Sequence, residues 1–364
     1  MNAQDQTSPA SRDPAPSAST RASRLAATAR RATAIVAVAY PVALLLVAAG
    51  LRFVGERWWL TTVLLYLPRI GFALPLPFLT LALIVTRAYR LLPTQVAALA
   101  IVLFPLMGFE LGGSRTPNGG AVRLQIMTMN IALGDDGIER VLELVRGAEA
   151  DIVVLEEVGP ENVEPLKAGL PNYTVRDVEQ FVVASRLPIG PLSGPPSMLD
   201  DGLAHYARGT VTTAAGPLRI YAIHPTSPHS AFDDLRGDGL LHEVANGHIL
   251  RTPPESPLRD NTALRVAQVR TVAEDALGAP GPVILAGDTN LPGLSYAFAR
   301  WLGDFHDAFA EVGRGFGYTY PAHHRPWMRI DRVLGGPGVR FLDVKVLPEQ
   351  ASTHLAVVVE LELR

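Results

Sequence analysis

Three apolar blocks near the start of the chain constrain its fold more than any other feature of the sequence. They cover residues 32–51, 70–86 and 91–109 and hold 20, 17 and 19 consecutive uncharged residues. As a helix, about 20 residues span roughly 30 Å, the thickness of a bilayer's hydrocarbon core. Buried helices of a soluble domain or a cleaved signal peptide explain three such blocks poorly. The sequence therefore predicts three transmembrane helices.

The segments around these blocks complete the prediction for the N-terminal part. Residues 1–31 are rich in Ser, Ala, Pro and Arg and lack apolar periodicity, which predicts a disordered cytoplasmic tail. Residues 32–113 then form the membrane anchor. The stretch WWLTTVLLYLP, residues 58–68, precedes the second block and could extend it, so the sequence leaves the completeness of the second span open.

The charge distribution predicts which side of the membrane each part occupies. Residues 1–113 hold ten arginines against four carboxylates, a net charge of +6; since the whole chain carries −3, residues 114–364 carry −9. Arginines cluster before the first block and between the second and third, and such clusters favour the cytoplasmic side. Arg52 and Arg57 oppose this weakly. With three spans, everything after residue 113 is then extracytoplasmic, in a multi-pass protein of the cell membrane.

A short linker follows the anchor. Residues 112–121 read GGSRTPNGGA, the composition of a flexible connection. About ten residues reach at most roughly 35 Å. The domain that follows is therefore expected to stay close to the bilayer.

The remaining chain, residues 114–364, has the pattern of an α/β domain. Buried-looking strands such as VRLQIMTMNI, DIVVLEEV and PVILAGDTN alternate with segments of helical periodicity. This pattern predicts a mixed sheet with helices on its faces. The absence of cysteine excludes a disulfide scaffold and a thiolate metal site.

Polar residues end or begin most of these strands. Each has an ordinary explanation, such as a turn cap, a solvated acid or a core histidine, and Asp331 could pair with Arg329 or Arg332. Together they predict one functional site, because ligands bind where strand ends converge at one edge of a sheet. The residues are Asn130, Glu157, His224, Asp288, Asn290, Asp331 and His354.

The order of seven motifs resembles the endonuclease/exonuclease/phosphatase superfamily. The motifs are TMNI, DIVVLEEV, SRLPI, AIHPTSP, GDTN, RIDRVL and STHLAVV. The resemblance covers residues 122–364, and the anchor resembles the membrane-bound branch that includes vancomycin-resistance-associated proteins. It implies a four-layer α/β sandwich, in which helices flank two packed mixed β-sheets, and hydrolysis of phosphate esters with Mg²⁺ or Mn²⁺.

The resemblance also implies a role for each strand-end residue. Glu157 matches the metal-binding glutamate, with Asn130 assisting through its amide oxygen. Asp288 matches the residue that orients or deprotonates the attacking water, and Asn290 the one that steadies the transferring phosphoryl group.

The two histidines and the last aspartate have implied roles as well. His354 matches the histidine that contacts the phosphate, and Asp331 the carboxylate that fixes its tautomer and favours its cationic form. His224 matches a second histidine, near the leaving group, and is a candidate general acid.

Three departures from the family pattern stand out. Ser352-Thr353-His354 replaces the usual Ser-Asp-His, which leaves a second metal contact open. Glu156 replaces a glutamine, so it is either an added ligand or a neutral group. Thr289 replaces a phenylalanine between Asp288 and Asn290, the two residues with implied catalytic roles, and we expect this change to be harmless.

Three classes of function fit these residues. The first is a membrane-anchored phosphoesterase that hydrolyses a phosphate ester or a pyrophosphate. Its substrate would be a phosphorylated small molecule, or a lipid or lipid-linked cell-envelope intermediate that shares its membrane. The second is a nuclease, disfavoured because a domain of charge −9 with two lysines lacks the usual basic footprint. The third is a catalytically degenerate binding or scaffold protein, prompted by Thr353. The sequence leaves the leaving group and the oligomeric state open.

Overall fold

The computed structural model describes residues 18–198, 203–233 and 257–363. Its first helix, α1, runs from Ala18 to Phe53. Residues 18–31 are therefore helical, whereas their composition predicted disorder, and residues 1–17 lie outside the described residues. Alanine and arginine are strong helix formers, and this stretch leads directly into an apolar helix that can propagate backwards.

Two described helical segments are long and apolar enough to cross a membrane. They are Ser23–Phe53 and Tyr89–Leu106, and a bent pair, Trp59–Tyr66 with Arg69–Val85, counts as a third if it is one broken span. The N-terminal region thus provides two or three candidate spans. The helices after α1 are α2 (Trp59–Tyr66), α3 (Pro75–Val85) and α4 (Leu92–Ile101), the last continuing as a π-helix over Val102–Leu106.

The second span is not extended by the stretch WWLTTVLLYLP as a straight helix. The axis turns by 94° between Tyr66 and Arg69. Leu67 has extended backbone angles, φ −78° and ψ 151°. Pro68 accounts for this turn, because proline disfavours the helical conformation of the residue before it.

The chain forms two compact units that do not coincide with the expected boundary at residue 114. One unit comprises Met1–Leu45 and Phe72–Ile101; the other comprises Leu46–Gly71 and Val102–Arg364. The second unit already includes a short strand, β1 (Glu110–Leu111), which pairs with β10 (Arg314–Gly315). The C-terminal domain therefore incorporates the end of α1 and the segment that follows it as far as Gly71.

Two mixed β-sheets form the body of this second unit. The first contains β2 (Val122–Asn130), β3 (Ile152–Glu156), β4 (Thr174–Val178), β5 (Phe181–Ser185), β12 (Val339–Val346) and β13 (Val357–Leu363). The second contains β6 (Tyr206–Thr213), β7 (Gly216–Ile223), β8 (Val283–Asp288), β9 (His306–Asp307) and β11 (Asp331–Gly335). The strand orders are β12-β13-β2-β3-β5-β4 and β6-β7-β8-β11-β9. The pairs β2–β3 and β7–β8 are parallel, and the other pairs within the two sheets are antiparallel.

Helices flank these sheets, and the apolar core has three layers. The helices of this unit are α5 (Ile138–Ala148), α6 (Pro160–Gly169), α7 (His229–Asp233), α8 (Pro257–Gly278) and α9 (Ala308–Val312). Because alternate residues of a strand face opposite sides, Ile126, Val154 and Ile284 belong to the layer between the two sheets. Met127 and Val153 belong to a second layer, which also contains residues of α5 and α6. Residues of α8 contribute to the third layer, on the other face of the second sheet.

The predicted linker, residues 112–121, is tied to the first sheet. The backbone N–H of Arg115 donates to Leu342 O at 2.7 Å, and that of Asn118 to Glu362 Oε2 at 2.8 Å. Its glycine and serine content predicted a flexible connection, but these amide groups have partners in the first sheet. The stretch is therefore part of the domain and does not act as a free tether.

Candidate active site

The strand registers bring the predicted residues to one edge of the two sheets. Asn130 and Glu156 are partners at the ends of β2 and β3, and Asp288 and Asp331 are partners in the pair β8–β11. His224 directly follows β7. All seven residues singled out in the sequence lie in this cluster, connected by the contacts described below.

Glu157 is the carboxylate best placed to meet a ligand. Its side chain is 31% exposed, and His224 Nε2 lies 3.0 Å from its Oε1. Asn130 Nδ2 donates to the same oxygen at 2.9 Å. Burial alone would raise the pKa of Glu157, but the hydrogen bond and charge of His224 and the Asn130 amide lower it to about 2. Glu157 is therefore ionised at neutral pH.

Asn130 is oriented differently from the expectation. Its amide oxygen accepts from the backbone N–H of Ala132 at 2.9 Å, and its amide nitrogen faces Glu157. Because the Ala132 N–H can only donate, it fixes which end of the amide points where. In this arrangement the Asn130 amide nitrogen orients the Glu157 carboxylate, while its oxygen is engaged by the Ala132 N–H.

Asp288 is buried at the centre of the cluster, with 2% exposure. Its Oδ2 lies 3.9 Å from the Nε2 atoms of both His224 and His354, and its Oδ1 accepts from the Asn290 N–H at 2.8 Å. Burial and the charge of Asp331 raise the pKa of Asp288 to about 6, although both histidines and the Asn290 amide oppose the rise. A carboxylate with such a pKa can accept a proton near neutral pH.

His354 and Asp331 form a buried pair. His354 Nδ1 lies 3.0 Å from both carboxylate oxygens of Asp331. Burial lowers the pKa of His354, but the charge and hydrogen bond of Asp331 outweigh burial and raise it to about 9. His354 is therefore an imidazolium at neutral pH, with Nε2–H left for a ligand. Asp331 thus pairs with a histidine and not with the neighbouring Arg332, whose partner is Asp307.

His224 is held by a residue that the sequence analysis did not single out. Its Nδ1 lies 2.7 Å from Gln180 Oε1, while Gln180 Nε2 donates to Ala204 O at 2.7 Å. The Gln180 oxygen therefore accepts, so Nδ1 carries a proton and Nε2 faces Glu157. Burial lowers the pKa of His224, yet Glu157 and Asp288 raise it overall. A protonated His224 can act as a proton donor.

Glu156 behaves as a neutral group. It is fully buried, and Thr128 Oγ1 donates to its Oε1 at 2.8 Å. Burial, and after it the charges of Asp331, Asp288 and Glu157, raise the pKa of Glu156 well above its ordinary value, although the Thr128 hydrogen bond opposes the rise. A protonated carboxyl has nearly the shape of the glutamine that the family pattern has here, so of the two interpretations of Glu156 the neutral one fits the structure.

The residues present fit a divalent cation. Asp288, Asp331 and His354 offer ligand atoms within 4.8 Å of one another, but Asp331 and His354 are already engaged with each other. Glu157 is the ionised and partly exposed carboxylate beside them. Besides the neutral Glu156, three carboxyl groups crowd this edge, those of Glu157, Asp288 and Asp331, and an oxygen-preferring cation would relieve their repulsion. Glu157 would hold such an ion, with Asp288 close by.

Comparison with protein-family profiles matches residues 127–354 to the endonuclease/exonuclease/phosphatase family, a match that covers more than half of the chain and includes every residue of the cluster. The chain belongs to the endonuclease/exonuclease/phosphatase family. A comparison with curated protein sequences found no match.

Several solved structures are similar to this family member. An endonuclease/exonuclease/phosphatase from Beutenbergia cavernae DSM 12333 is 22% identical, with a TM-score of 0.46 over 66% of this chain and 72% of that one. Humanized D. rerio TDP2 is 17% identical, with a TM-score of 0.49 over 66% and 98%. A mannosyl-6-phosphatase from Bacteroides thetaiotaomicron VPI-5482 is 16% identical, with a TM-score of 0.48 over 65% and 99%.

Proposed function

We propose that this family member is a membrane-anchored phosphoesterase that depends on a divalent metal ion, Mg²⁺ or Mn²⁺. The observation that carries the proposal is the pairing of two groups in one buried cluster. Asp288, with its pKa raised to about 6, can accept a proton, and His354, with its pKa raised to about 9, supplies a fixed positive charge. Asp288 Oδ2 and His354 Nε2 are 3.9 Å apart. A base beside a cation is the arrangement that hydrolysis of a phosphate ester needs.

Each residue then has a task. Asp288 orients the attacking water and accepts its proton. His354 Nε2–H, held by Asp331, stabilises charge on the phosphoryl oxygens, and His224 can protonate the leaving oxygen. Glu157 holds the metal ion, which when bound supplies charge stabilisation at the phosphoryl group.

Asn290 contributes to the site through its backbone N–H, which binds Asp288, and through its side-chain amide. Its Nδ2 donates to Pro225 O at 2.9 Å, in the loop that carries His224. The amide therefore ties two site loops together. We assign Asn290 the role of shaping the surface that receives the phosphoryl group.

We propose a phosphorylated membrane lipid or lipid-linked cell-envelope intermediate as the substrate class. Few residues separate the last candidate span, which ends at Leu106, from β2, which begins at Val122. The site is therefore expected to stay close to the bilayer. A lipid substrate gains local concentration by sharing the bilayer with the enzyme. The charge of −9 after residue 113 disfavours long polyanions but allows a single phosphate group. Hydrolysis of DNA by the same fold is the competing function.

The full-length protein, reconstituted in vesicles with Mg²⁺, tests the substrate class. We expect phosphate release from a lipid phosphate placed in the same vesicles to be roughly tenfold faster than from the same lipid in separate vesicles, because effective concentration is gained only in a shared bilayer. Nucleotides and single-stranded DNA serve as soluble comparisons. Faster cleavage of DNA than of any lipid, or equal rates from shared and separate vesicles, would contradict the proposal.

We also propose that the catalytic domain is extracytoplasmic. Residues 46–71 and 102–364 belong to one compact unit, so the segment after the first span and the domain after the third share one side of the membrane. With the arginine clusters on the cytoplasmic side, that shared side is outside.

A single introduced cysteine can test this orientation, because the chain has none of its own. Gly119 is exposed, with no heavy atom within 4 Å of a Cβ placed there. In intact cells, Gly119→Cys is expected to react with a membrane-impermeant maleimide, whereas Ala27→Cys, at an exposed position before the first apolar block, reacts only after lysis. The reverse pattern would place the domain in the cytoplasm.

A further inference from the structure

The segment that follows the first candidate span contacts the loop that follows Asn290. We call residues 54–71 the hairpin segment. Glu56 accepts a hydrogen bond from Ser295 Oγ and another from the Ala297 N–H at 3.1 Å. Arg69 Nη2 donates to Gly293 O at 2.6 Å. Both ends of the hairpin segment are thus bonded to this loop.

Tyr66 is the point at which the hairpin segment reaches Asn290 itself. Its hydroxyl donates to the Asn290 carbonyl at 2.8 Å. Arg265 Nη1 donates to the same hydroxyl at 2.8 Å. Because a guanidinium can only donate, the hydroxyl proton of Tyr66 must point to Asn290. Both bonds are buried, so water does not compete for them.

Arg265 connects Tyr66 with the loop that carries His224. It is fully buried on α8, and its Nε donates to Thr226 O at 2.7 Å. Gln268, one turn further along α8, accepts from the Thr226 N–H at 2.7 Å. Tyr66 and Arg265 together therefore join the two loops from which His224 and Asn290 project.

The backbone of Asn290 needs such support. Its φ is +48°, a left-handed conformation that costs energy in a non-glycine residue. Three bonds hold it: its N–H to Asp288, its side-chain amide to Pro225 O, and its carbonyl to Tyr66. Loss of the Tyr66 bond would leave the carbonyl side of this peptide free to rotate.

We propose that Tyr66 is a positioning residue for Asn290, so that the membrane anchor supplies part of the active-site architecture. Tyr66 acts through the Asn290 peptide and touches no reacting atom. The consequence for activity rests on the phosphoesterase function proposed above, whereas the consequence for loop rigidity does not.

Tyr66→Phe in the full-length protein is the primary test, because it removes only the hydroxyl. Removal of the hydroxyl leaves the buried Asn290 carbonyl without its partner, which is destabilising. For a lipid phosphate placed in the same vesicles as the enzyme, we expect kcat to fall about tenfold with KM within about twofold. Tyr173→Phe is the matched control, since Tyr173 Oη donates to the Ala150 carbonyl at 2.7 Å, before the opposite end of β3. A similar fall in kcat for both variants, or a kcat unchanged in Tyr66→Phe, would overturn the proposal.

A double-mutant cycle with Asn290→Gly separates positioning from general stabilisation. Glycine keeps the positive φ available while removing the Asn290 side chain. If Tyr66 acts by holding the Asn290 peptide so that this side chain is correctly placed, Tyr66→Phe should lower kcat less than about twofold in the Asn290→Gly background, because coupled residues are non-additive. Multiplicative effects would show that Tyr66 acts elsewhere.

Hydrogen exchange tests the same contact without reference to hydrolysis. In detergent-solubilised full-length protein, Tyr66→Phe should speed exchange of the amides of residues 289–297 about tenfold, while Tyr173→Phe leaves them unchanged. Unchanged exchange in Tyr66→Phe overturns the proposal whether or not the protein hydrolyses lipid phosphates. A wild-type protein that hydrolyses no phosphate ester would instead refute the proposed function, and exchange would still decide the role of Tyr66.

Discussion

Asp288→Asn is expected to lower kcat roughly a thousandfold while raising the thermal unfolding midpoint of the protein. The loss follows because an amide cannot accept the proton of the attacking water, and general-base catalysis contributes about 10²–10⁴ in rate. The gain in stability follows because the pKa of Asp288 is raised by burial and by Asp331, which means that its charge is costly in the folded protein. Phosphate release and differential scanning calorimetry measure the two effects.

Because kcat is expected to fall while the thermal unfolding midpoint rises, a loss of folded structure cannot explain the loss of activity. Asp275→Asn is the matched control: Asp275 accepts from Tyr206 Oη at 2.6 Å and pairs with Arg208, away from the strand-end cluster. That variant should lose stability and keep its kcat. An Asp288→Asn protein with more than a tenth of the wild-type kcat would exclude Asp288 as the base.

His354→Gln is expected to lower kcat by roughly 10²–10³, because the phosphoryl oxygens lose a fixed positive charge in a buried site. Asp331→Asn should cause a similar loss, since the pair holds His354 in its cationic form. The double variant should be little worse than either single one, as for residues that act as a unit. Additive losses would mean that Asp331 and His354 act independently.

The same pair predicts a pH dependence of stability. Because the folded-state pKa of His354 is raised to about 9, above the unfolded value of about 6.5, its contribution is fully present below about pH 6.5 and is lost as the pH rises through about 9. Over this interval the thermal midpoint of the wild type should fall more steeply than that of His354→Gln. Parallel curves would contradict a charged His354 in the folded, metal-free protein.

Much of the candidate site could be predicted because the relevant signals are local. A buried strand that stops in Gly-Asp-Thr-Asn indicates Asp288 and Asn290, because ligands bind beyond the carboxyl ends of such strands. Two further strand ends supplied Asn130 and Glu157 in the same way. In each case a few consecutive residues held both the structural and the chemical information.

The remainder depends on contacts between distant parts of the chain. Nothing near Tyr66 or Arg265 in the sequence marks them, since an apolar helix with one tyrosine is ordinary in a membrane anchor. The orientation of the Asn130 amide depends on the Ala132 N–H, which only a folded turn presents. The bonds of residues 112–121 to the first sheet likewise join groups more than 200 residues apart.

The hairpin segment also has a consequence for biosynthesis. Tyr66 and Asn290 are 224 residues apart, so the anchor side of this contact is synthesised long before its partner. If only one of the two segments that follow Tyr66 crossed the bilayer, Tyr66 and Asn290 would lie in different compartments, and the contact could not form. In the topology proposed above, the Tyr66–Asn290 contact therefore forms only when these two segments insert together, which would couple activity to membrane insertion.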